Sequence, residues 1–184
     1  MDNKTIRLLT IEDNPGDYRL IQEMLNEAKG VKFEVQTANR FSAGIECLRK
    51  GNIDIVLLDL SLPDSEGLDT FKSVHAMVPE VPTVILTAIK DEALAAKAVQ
   101  EGAQDYLIKG SIDGNLLVHS IRYAIERKKA EKIMQELQTK LAYANKMAAV
   151  GTLTGGVAHK INNPLTIILT NIQMLKEKLK QGVV

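Results

Sequence analysis

The sequence contains a single cysteine, Cys47, in 184 residues, which excludes a disulfide within the chain and leaves Cys47 as a predicted core thiol. It also lacks any apolar run near the roughly 18 residues that a membrane-spanning helix needs. The N-terminal stretch has no long apolar segment before its acidic residues, so we expect no secretory signal. These absences predict a cytoplasmic protein without a membrane span.

Neither sign of charge is in excess, because lysine plus arginine and aspartate plus glutamate both number 23. The composition therefore gives no indication of a nucleic acid or an anionic membrane as a partner. A local basic cluster at Arg127, Lys128 and Lys129 alternates with Glu126 and Glu131, which is typical of a solvated helix face. No compact helix-turn-helix region follows the strand-rich part of the chain, which argues against a transcription factor, and we expect no nucleic-acid partner.

Strand-like and helix-like segments alternate at short intervals up to about residue 110, the pattern of a parallel sheet wound on both faces by helices. The five predicted strands are residues 5–11, 32–37, 53–58, 82–87 and 104–108. The central one, IDIVLL, is an unbroken apolar run that leads into Asp59, as expected of a strand buried on both faces. The sequence thus predicts an α/β domain with a doubly wound, five-stranded parallel sheet.

From residue 112 onwards the chain is rich in Ala, Lys, Glu, Gln and Leu and has no proline before Pro164, which predicts one extended helix or two joined end to end. Small and apolar residues follow a heptad spacing at Ala130, Met134, Leu137, Leu141, Ala144, Ala148, Gly151 and Gly155. This spacing predicts a coiled coil formed with a second copy of the chain. A second series beside the first indicates a four-helix bundle; it comprises Val150, Thr154, Val157, Ile161 and Ile168.

Polar side chains stand at the ends of four predicted strands: Glu12 and Asp13 follow the first, Asp59 the third, Thr87 ends the fourth and Lys109 follows the fifth. Taken singly, Asp13 could cap a helix, Thr87 could be an ordinary strand residue and Lys109 a solvated one. Together they lie at the edge where open α/β sheets bind ligands. Converging carboxylates repel one another unless a cation lies among them. Oxygen ligands with room for water suit Mg²⁺, so we predict a magnesium site.

A metal held by Asp13 and Asp59 would leave the second oxygen of Asp59 as a nucleophile. Lys109 and the Thr87 hydroxyl would then bind the oxygens of an incoming phosphoryl group, the task of cationic and hydroxyl donors in phosphoryl transfer. This edge of the sheet is therefore predicted to accept phosphate on Asp59.

At these residues the chain resembles the receiver domain of bacterial response regulators. The resemblance covers residues 5 to about 127 and rests on Glu12-Asp13, Asp59 with Pro63 and Gly67 at the spacing D-x-x-x-P-x-x-x-G, Thr87-Ala88, Tyr106 and Lys109. It implies a flavodoxin-like fold and Mg²⁺-dependent phosphorylation of Asp59 by a phosphohistidine donor. It also implies that the backbone carbonyl of Ser61 is a third metal ligand, and that Thr87 turns toward the phosphate while Tyr106 rotates inward.

One departure from the family's pattern is Gly110, which stands where a proline usually follows the lysine in a cis bond. A cis bond before a residue other than proline costs about 3 kcal/mol. We therefore expect Lys109 to be held less rigidly here, while it remains the candidate cation of this loop.

A second motif lies at residues 147–165, MAAVGTLTGGVAHKINNPL. A lone histidine is most often a helix-surface imidazole, but this segment resembles the dimerisation and phosphotransfer helix of sensor histidine kinases, with its pattern G-x-L-x-x-G-x-A-H-E-x-N-N-P-L. The matching residues are Gly151, Leu153, Gly156, Ala158, His159, Asn162, Asn163, Pro164 and Leu165. The resemblance covers about residues 140–180 and implies that His159 is a phosphoacceptor, with Asn163 at the phosphatase-assisting position.

Lys160 replaces the acidic residue that this helix family uses as a general base, and an ammonium group cannot accept a proton. We therefore predict weak or absent autokinase activity through His159, and Asn163 would work without its usual acidic companion. The sequence also has no Gly-rich phosphate loop or kinase signature. We do not expect this polypeptide alone to phosphorylate itself from ATP.

The sequence thus predicts three parts: a receiver domain at residues 1–127, a coiled-coil linker at 128–147, and a partial dimerisation and histidine-phosphotransfer helix at 148–184, as in hybrid two-component proteins. The predicted function is phosphorelay signalling. A cognate histidine kinase or phosphotransfer protein would phosphorylate Asp59, and the last receiver helix would pass the signal to a homodimeric coiled coil that carries His159. The alternative, which Lys160 favours, is a dimerising scaffold or decoy that binds a histidine kinase without phosphotransfer.

Overall fold

The computed structural model describes residues 5–88 and 90–180. Beyond residue 147 it describes side chains at positions 166, 167, 169, 170, 173 and 174. The chain divides into two compact units, Met1–Lys132 and Ile133–Val184. The first unit holds the sheet, and the described part of the second is helical.

The strands along the chain are β1 (Thr5–Ile11), β2 (Lys32–Ala38), β3 (Ile55–Asp59), β4 (Ser61–Leu62), β5 (Ser65–Glu66), β6 (Thr83–Thr87) and β7 (Asp105–Ile108). Five of them form one parallel sheet in the order β2-β1-β3-β6-β7, while β4 and β5 make a short antiparallel hairpin. The strand order reverses between β1 and β3, the position at which open α/β sheets bind ligands. The predicted flavodoxin-like, doubly wound, five-stranded parallel sheet is confirmed.

The helices are α1 (Pro15–Asn26), α2 (Phe41–Lys50), α3 (Leu68–Met77), α4 (Glu92–Gln100) and α5 (Gly114–Lys180). Two apolar clusters cover the two faces of the sheet. One cluster joins the sheet to α2, α3 and α4 and includes Phe71, which is fully buried. The other joins the sheet to α1 and the start of α5 through Ile21, Leu117 and Ile121.

Strand β3 shows why the apolar run of the sequence is unbroken. Side chains alternate between the faces of a sheet, and Ile55 and Leu57 belong to one apolar cluster while Val56 and Leu58 belong to the other. All four side chains are completely buried. A strand enclosed on both faces needs an apolar residue at every position, and its first polar residue, Asp59, therefore marks its end.

Strands β2, β6 and β7 differ from the predicted strands by one residue at one end, and larger differences occur at two places. Strand β3 begins at Ile55 rather than at residue 53. The Asp54 carboxylate accepts hydrogen bonds from the backbone N–H and the guanidinium of Arg7. Side-chain hydrogen bonds therefore connect the residue before β3 to β1. The β4–β5 hairpin was not expected, because strands of two residues carry no periodic signal in the sequence.

The hairpin supplies the N-terminal cap of helix α2. Arg40, at the capping position, makes no side-chain capping bond. The N–H groups of Phe41 and Ser42 instead donate to Asp64 Oδ1 at 2.7 Å and Oδ2 at 3.0 Å. These bonds, with that from Ser42 the strongest, lower the pKa of Asp64, as expected for a carboxylate at a helix N-terminus.

Helix α5 changes character along its length. Leu117 and Ile121 are buried against the sheet, whereas further on Met134, Leu137 and Leu141 are 58%, 56% and 63% exposed. These last three occupy predicted heptad positions, and in the described part of the chain their side chains are exposed. None of the described helices is both long enough and apolar enough to cross a membrane.

Candidate functional site

The register of the sheet sets four polar residues along one edge. Glu12 directly follows β1 at the level of Asp59, because the residues just before them pair across β1 and β3. Thr87 ends β6 one position beyond the partner of Asp59. Lys109 directly follows β7, one position beyond the partner of Thr87. The carboxyl ends of four neighbouring parallel strands therefore carry the predicted site residues.

The Lys109 ammonium lies among three carboxylates. Its Nζ is 2.6 Å from Asp59 Oδ2, 2.6 Å from Glu12 Oε2 and 2.9 Å from Asp17 Oδ2. The side chains of Glu12, Asp59 and Lys109 are only 2%, 5% and 13% exposed, while that of Asp17 is 37% exposed. An ammonium group has three N–H donors, so Lys109 can face all three carboxylates at once.

Burial and charge oppose each other in this cluster. Burial raises the pKa of Glu12, and the ion pair with Lys109 offsets part of that rise. Burial also disfavours the charge on Lys109, but the carboxylates of Asp59, Glu12 and Asp17 beside it outweigh that effect and raise the pKa of Lys109 above the ordinary lysine value. These ion pairs therefore stabilise the fold below the ordinary lysine pKa, and that contribution is lost as the pH rises through the raised value.

The donor set at this edge fits a divalent cation. Glu12, Asp13 and Asp59 each place a carboxylate oxygen within 4.8 Å of the others. Carboxylate oxygens are the ligands that Mg²⁺ prefers, and a divalent cation would relieve the repulsion among them. Ser61, whose carbonyl is the further predicted ligand, donates its N–H to Asp59 Oδ1 at 3.1 Å. These residues are the ones that would hold Mg²⁺.

Asn14, rather than Asp13, caps helix α1. The Asn14 side-chain oxygen accepts hydrogen bonds from the N–H of Gly16 at 2.8 Å and of Asp17 at 3.4 Å. The alternative explanation of Asp13 as a helix cap is therefore wrong. Asp13 is exposed at the same edge as the two buried carboxylates.

Asp17 is a site residue that the sequence reasoning missed. It lies in the first turn of α1 and pairs with Lys109, from which it is 92 residues distant in sequence. A signal was present, because an acidic residue in the first turn of a helix that begins at the polar edge stays near that edge. Its sequence context alone nevertheless favours the simpler role of complementing the helix dipole.

Thr87 and Tyr106, the two predicted switch residues, are in contact. Thr87 is fully buried at the end of β6, and Tyr106 packs against an apolar cluster from β7. Burial raises the pKa of the Tyr106 hydroxyl, and a hydrogen bond with the Thr87 side chain offsets part of the rise. A movement of either side chain therefore changes the surroundings of the other.

The residue before this tyrosine ties β7 to helix α5. Asp105 Oδ1 accepts a hydrogen bond from the Tyr106 N–H at 2.8 Å, and Asp105 Oδ2 accepts one from the hydroxyl of the buried Ser120 at 2.6 Å. One carboxylate thus joins the backbone at Tyr106 to the first turns of α5.

Gly110, the residue after Lys109, is exposed. No described peptide bond is cis, so the Lys109–Gly110 bond is trans. Lys109 opens a single 3₁₀ turn, Lys109–Ser111. A Cβ atom placed on Gly110 would meet nothing within 4 Å.

The backbone of His159, Lys160 and Asn163 belongs to helix α5. The side chains of these three residues are not among those described. Their predicted roles in phosphotransfer remain predictions.

The sheet order, together with a lysine-paired aspartate at the strand ends, defines an α/β domain of the receiver type. The family model described as the response regulator receiver domain matches residues 8–122. The chain belongs to that family. The match ends before the segment of α5 that carries His159. The two curated relatives described next are named as a response regulator and a transcriptional regulatory protein.

Three similar proteins illustrate the family. The chain is 27% identical over 176 residues to the probable C4-dicarboxylate response regulator DctR of Bacillus subtilis, covering 92% of this chain and 75% of DctR. It is 28% identical over 151 residues to the transcriptional regulatory protein ZraR of Escherichia coli O157:H7, covering 82% of this chain but only 32% of ZraR. A crystal structure of a response regulator receiver domain protein from Clostridium thermocellum matches with a TM-score of 0.60 and 29% identity, over 68% of this chain and 98% of that one.

Replacing Lys109 with Met removes the ammonium that pairs with Glu12 and Asp59. In Mg²⁺-free buffer at neutral pH we expect the free energy of unfolding to fall by about 2–4 kcal/mol, because buried charges lose their partner. Lower pH should recover part of this loss, since Glu12, whose pKa burial already raises, then takes up a proton. Mg²⁺ should stabilise the variant more than the wild type. Urea denaturation with and without Mg²⁺ measures these effects.

The matched control is Lys72→Met, because Lys72 forms ion pairs with Asp69 and Glu101 away from the site. We expect this variant to respond to Mg²⁺ as the wild type does. The larger Mg²⁺ response of Lys109→Met is expected because the ammonium and the metal would compete for the same carboxylates. Equal Mg²⁺ responses in the wild type and in Lys109→Met would contradict that expectation.

Proposed function

We propose that this chain is a phosphorelay signalling protein whose receiver domain accepts a phosphoryl group on Asp59 from a histidine kinase or a phosphotransfer protein. The observation that carries the proposal is the 2.6 Å contact between Lys109 Nζ and Asp59 Oδ2, with carboxylates of Glu12 and Asp13 beside them. A nucleophile, a cation and a set of metal ligands lie within reach of one another.

In the proposed reaction a carboxylate oxygen of Asp59 attacks the phosphorus of a phosphohistidine. A P–O bond forms as the P–N bond breaks, and the electron pair of the broken bond stays on the imidazole nitrogen of the donor. Lys109 donates hydrogen bonds to the phosphoryl oxygens, and Thr87 does so once its side chain turns from Tyr106. The negative charge on those oxygens is stabilised by the Lys109 ammonium, which already lies beside Asp59, and then by the Thr87 hydroxyl.

Four residues would hold Mg²⁺ at this site: Glu12, Asp13, Asp59 and Ser61 through its carbonyl. The bound ion would neutralise negative charge on the phosphoryl oxygens. The two buried carboxylates, Glu12 and Asp59, support this assignment. Among the described residues the cation paired with them is Lys109, which also pairs with Asp17.

The proposed route from Asp59 to α5 runs through the contacts of Tyr106. When Thr87 turns toward the phosphoryl group, Tyr106 loses its hydrogen bond with the Thr87 side chain and the tyrosine ring moves inward. Asp105 holds both the Tyr106 N–H and the Ser120 hydroxyl, so a shift at Tyr106 is passed to α5. A packed helix responds to such a shift by a small rotation or translation.

The proposed partner of the distal part of α5 is a second copy of the chain. Met134, Leu137 and Leu141 have heptad spacing and are each more than half exposed, which suits burial in a two-stranded or four-helix assembly. In this proposal residues 1–127 are the receiver, residues 128–147 the coiled-coil linker, and residues 148–184 a partial dimerisation and phosphotransfer helix. His159 is its candidate phosphohistidine, and the proposed location is the cytoplasm.

Incubating the wild type with acetyl phosphate and Mg²⁺ should add one phosphoryl group, detected by intact-protein mass spectrometry. The addition should be abolished in Asp59→Asn, which lacks the nucleophilic oxygen, and by removal of Mg²⁺ with a chelator. Asp64→Asn is the matched control, because Asp64 follows in the next loop and caps α2 instead.

A wild type that gains no mass would favour the alternative of a dimerising scaffold or decoy. A gain that persists in Asp59→Asn would place the phosphoryl group elsewhere and contradict the assignment of the site.

Substituting Leu137→Glu together with Leu141→Glu should convert a dimer into a monomer in sedimentation velocity, because charges in the apolar series cannot be buried between two helices. Gln135→Glu with Thr139→Glu adds the same charge at the same spacing outside that series and should leave the dimer intact. A monomeric wild type, or a variant pair that behaves identically, would show that the apolar series does not form the interface.

A further inference from the structure

Three carboxylates contact Lys109, and they are not equivalent. Glu12 and Asp59 are buried and belong to the acidic group whose oxygens lie within 4.8 Å of one another. Asp17 is not in that group, is 37% exposed, and approaches the ammonium from helix α1 at 2.9 Å. Asp17 is thus a partner of Lys109 outside the set that fits a metal.

We propose that Asp17 is a positioning residue that anchors the Lys109 ammonium beside Asp59 while the other carboxylates bind the metal. The inference rests on the proposed phosphorylation of Asp59 and names the part of the site that keeps its lysine in place. Asp17 contacts neither the metal nor the phosphoryl group in this role, and it acts through Lys109.

The lysine loop shows why an anchor is needed. Lys109 begins a three-residue 3₁₀ turn, and the next residue is Gly110, where an added Cβ atom would meet nothing within 4 Å. Glycine allows more backbone conformations than any other residue. The partners of the ammonium then help to set where the lysine side chain ends, and Asp17 joins that end to helix α1.

The number of donors permits the anchor to persist during the reaction. With Glu12 committed to the metal, Lys109 retains Asp17 and Asp59 as partners. An ammonium has three N–H donors, so one can remain on Asp17 while two are available to Asp59 and a phosphoryl oxygen. The hydrogen bond to Asp17 is charge-assisted, which makes it stronger than one between neutral groups.

The N-terminus of α1 holds Asp17 in position. Asn14 caps the helix through the N–H groups of Gly16 and Asp17, so the backbone of the anchor is fixed by the same loop that carries Glu12 and Asp13. An acidic side chain in the first helical turn is also favoured by the helix dipole. Asp17 is therefore connected to the proposed metal ligands Glu12 and Asp13 through the capped start of helix α1.

The test compares Asp17→Ala with the wild type in two measurements. The first is the rate of phosphorylation by acetyl phosphate in saturating Mg²⁺, where we expect a decrease on the order of tenfold from the loss of one hydrogen bond to a charged group. The second, made without phosphodonor, is the rate at which an amine-reactive reagent labels Lys109, located by peptide mass spectrometry. Labelling should be faster in Asp17→Ala.

Three further variants separate anchoring from a general effect of charge. Glu23→Ala removes the same charge from the same helix, where Glu23 pairs with Arg19, and should match the wild type in both measurements. Asp17→Glu keeps a carboxylate and should restore most of the rate. Gly110→Ala, whose new Cβ meets nothing within 4 Å at a position without a positive φ, should stiffen the loop and partly rescue Asp17→Ala.

The outcomes distinguish this inference from the proposed function. If the wild type accepts phosphate and Asp17→Ala does so at an equal or higher rate, the anchor is overturned and the function stands. If the wild type accepts no phosphate, the proposed function fails and the role of Asp17 in phosphorylation fails with it. Faster labelling of Lys109 in Asp17→Ala would then still show that Asp17 holds the lysine, and unchanged labelling would overturn that as well.

Discussion

The Lys109 ammonium among buried carboxylates is the interaction on which the rest of the site depends. Glu12 and Asp59 stand at the ends of adjacent parallel strands and are almost fully enclosed, where two unpaired charges would be strongly unfavourable. Lys109 compensates both at 2.6 Å, and its raised pKa keeps it charged throughout the neutral range. A pair of this kind adds little net stability over apolar packing. Under the proposed function its value is chemical, because the candidate nucleophile Asp59 and a cation are held together before a phosphoryl group would arrive.

The sequence allowed much of this arrangement to be predicted, because the information is local. The apolar run that ends at Asp59 marks a strand buried on both faces, and the polar residues after the other strands fall at the same edge once the sheet is parallel. The missing parts depend on tertiary contacts. Asp17 reaches a lysine 92 residues away, and Asp64 caps a helix that begins 23 residues before it. The spacing of residues along the chain reveals neither the Asp17–Lys109 pair nor the cap that Asp64 provides. The sequence also does not decide between Asp13 and Asn14 as the N-terminal cap of α1, because both residue types are good caps.

Helix α5 has two different kinds of surface, one near the proposed site and one that suits the proposed assembly. Its first turns are part of the core, where Ser120 bonds to the Asp105 carboxylate that also holds the Tyr106 backbone. Its later turns expose Met134, Leu137 and Leu141 at heptad spacing. The same helix is thus packed into the core near the proposed switch. Further on, these three apolar side chains are exposed. This division suits a proposed output in which a small movement at Tyr106 changes how two copies of the helix associate.

The account is tested most directly by the NMR signal of the Lys109 ammonium in protein labelled with ¹⁵N-lysine and assigned with the Lys109→Met variant. A buried ammonium bound to three carboxylates exchanges its protons slowly and should give a resolved signal in the absence of metal. We expect Mg²⁺ to shift that signal, as Glu12 and Asp59 turn to the ion, and a phosphoryl mimic such as beryllofluoride to shift it again. A Lys109 signal lost to rapid exchange like those of surface lysines, or one that neither Mg²⁺ nor beryllofluoride moves, would contradict the account.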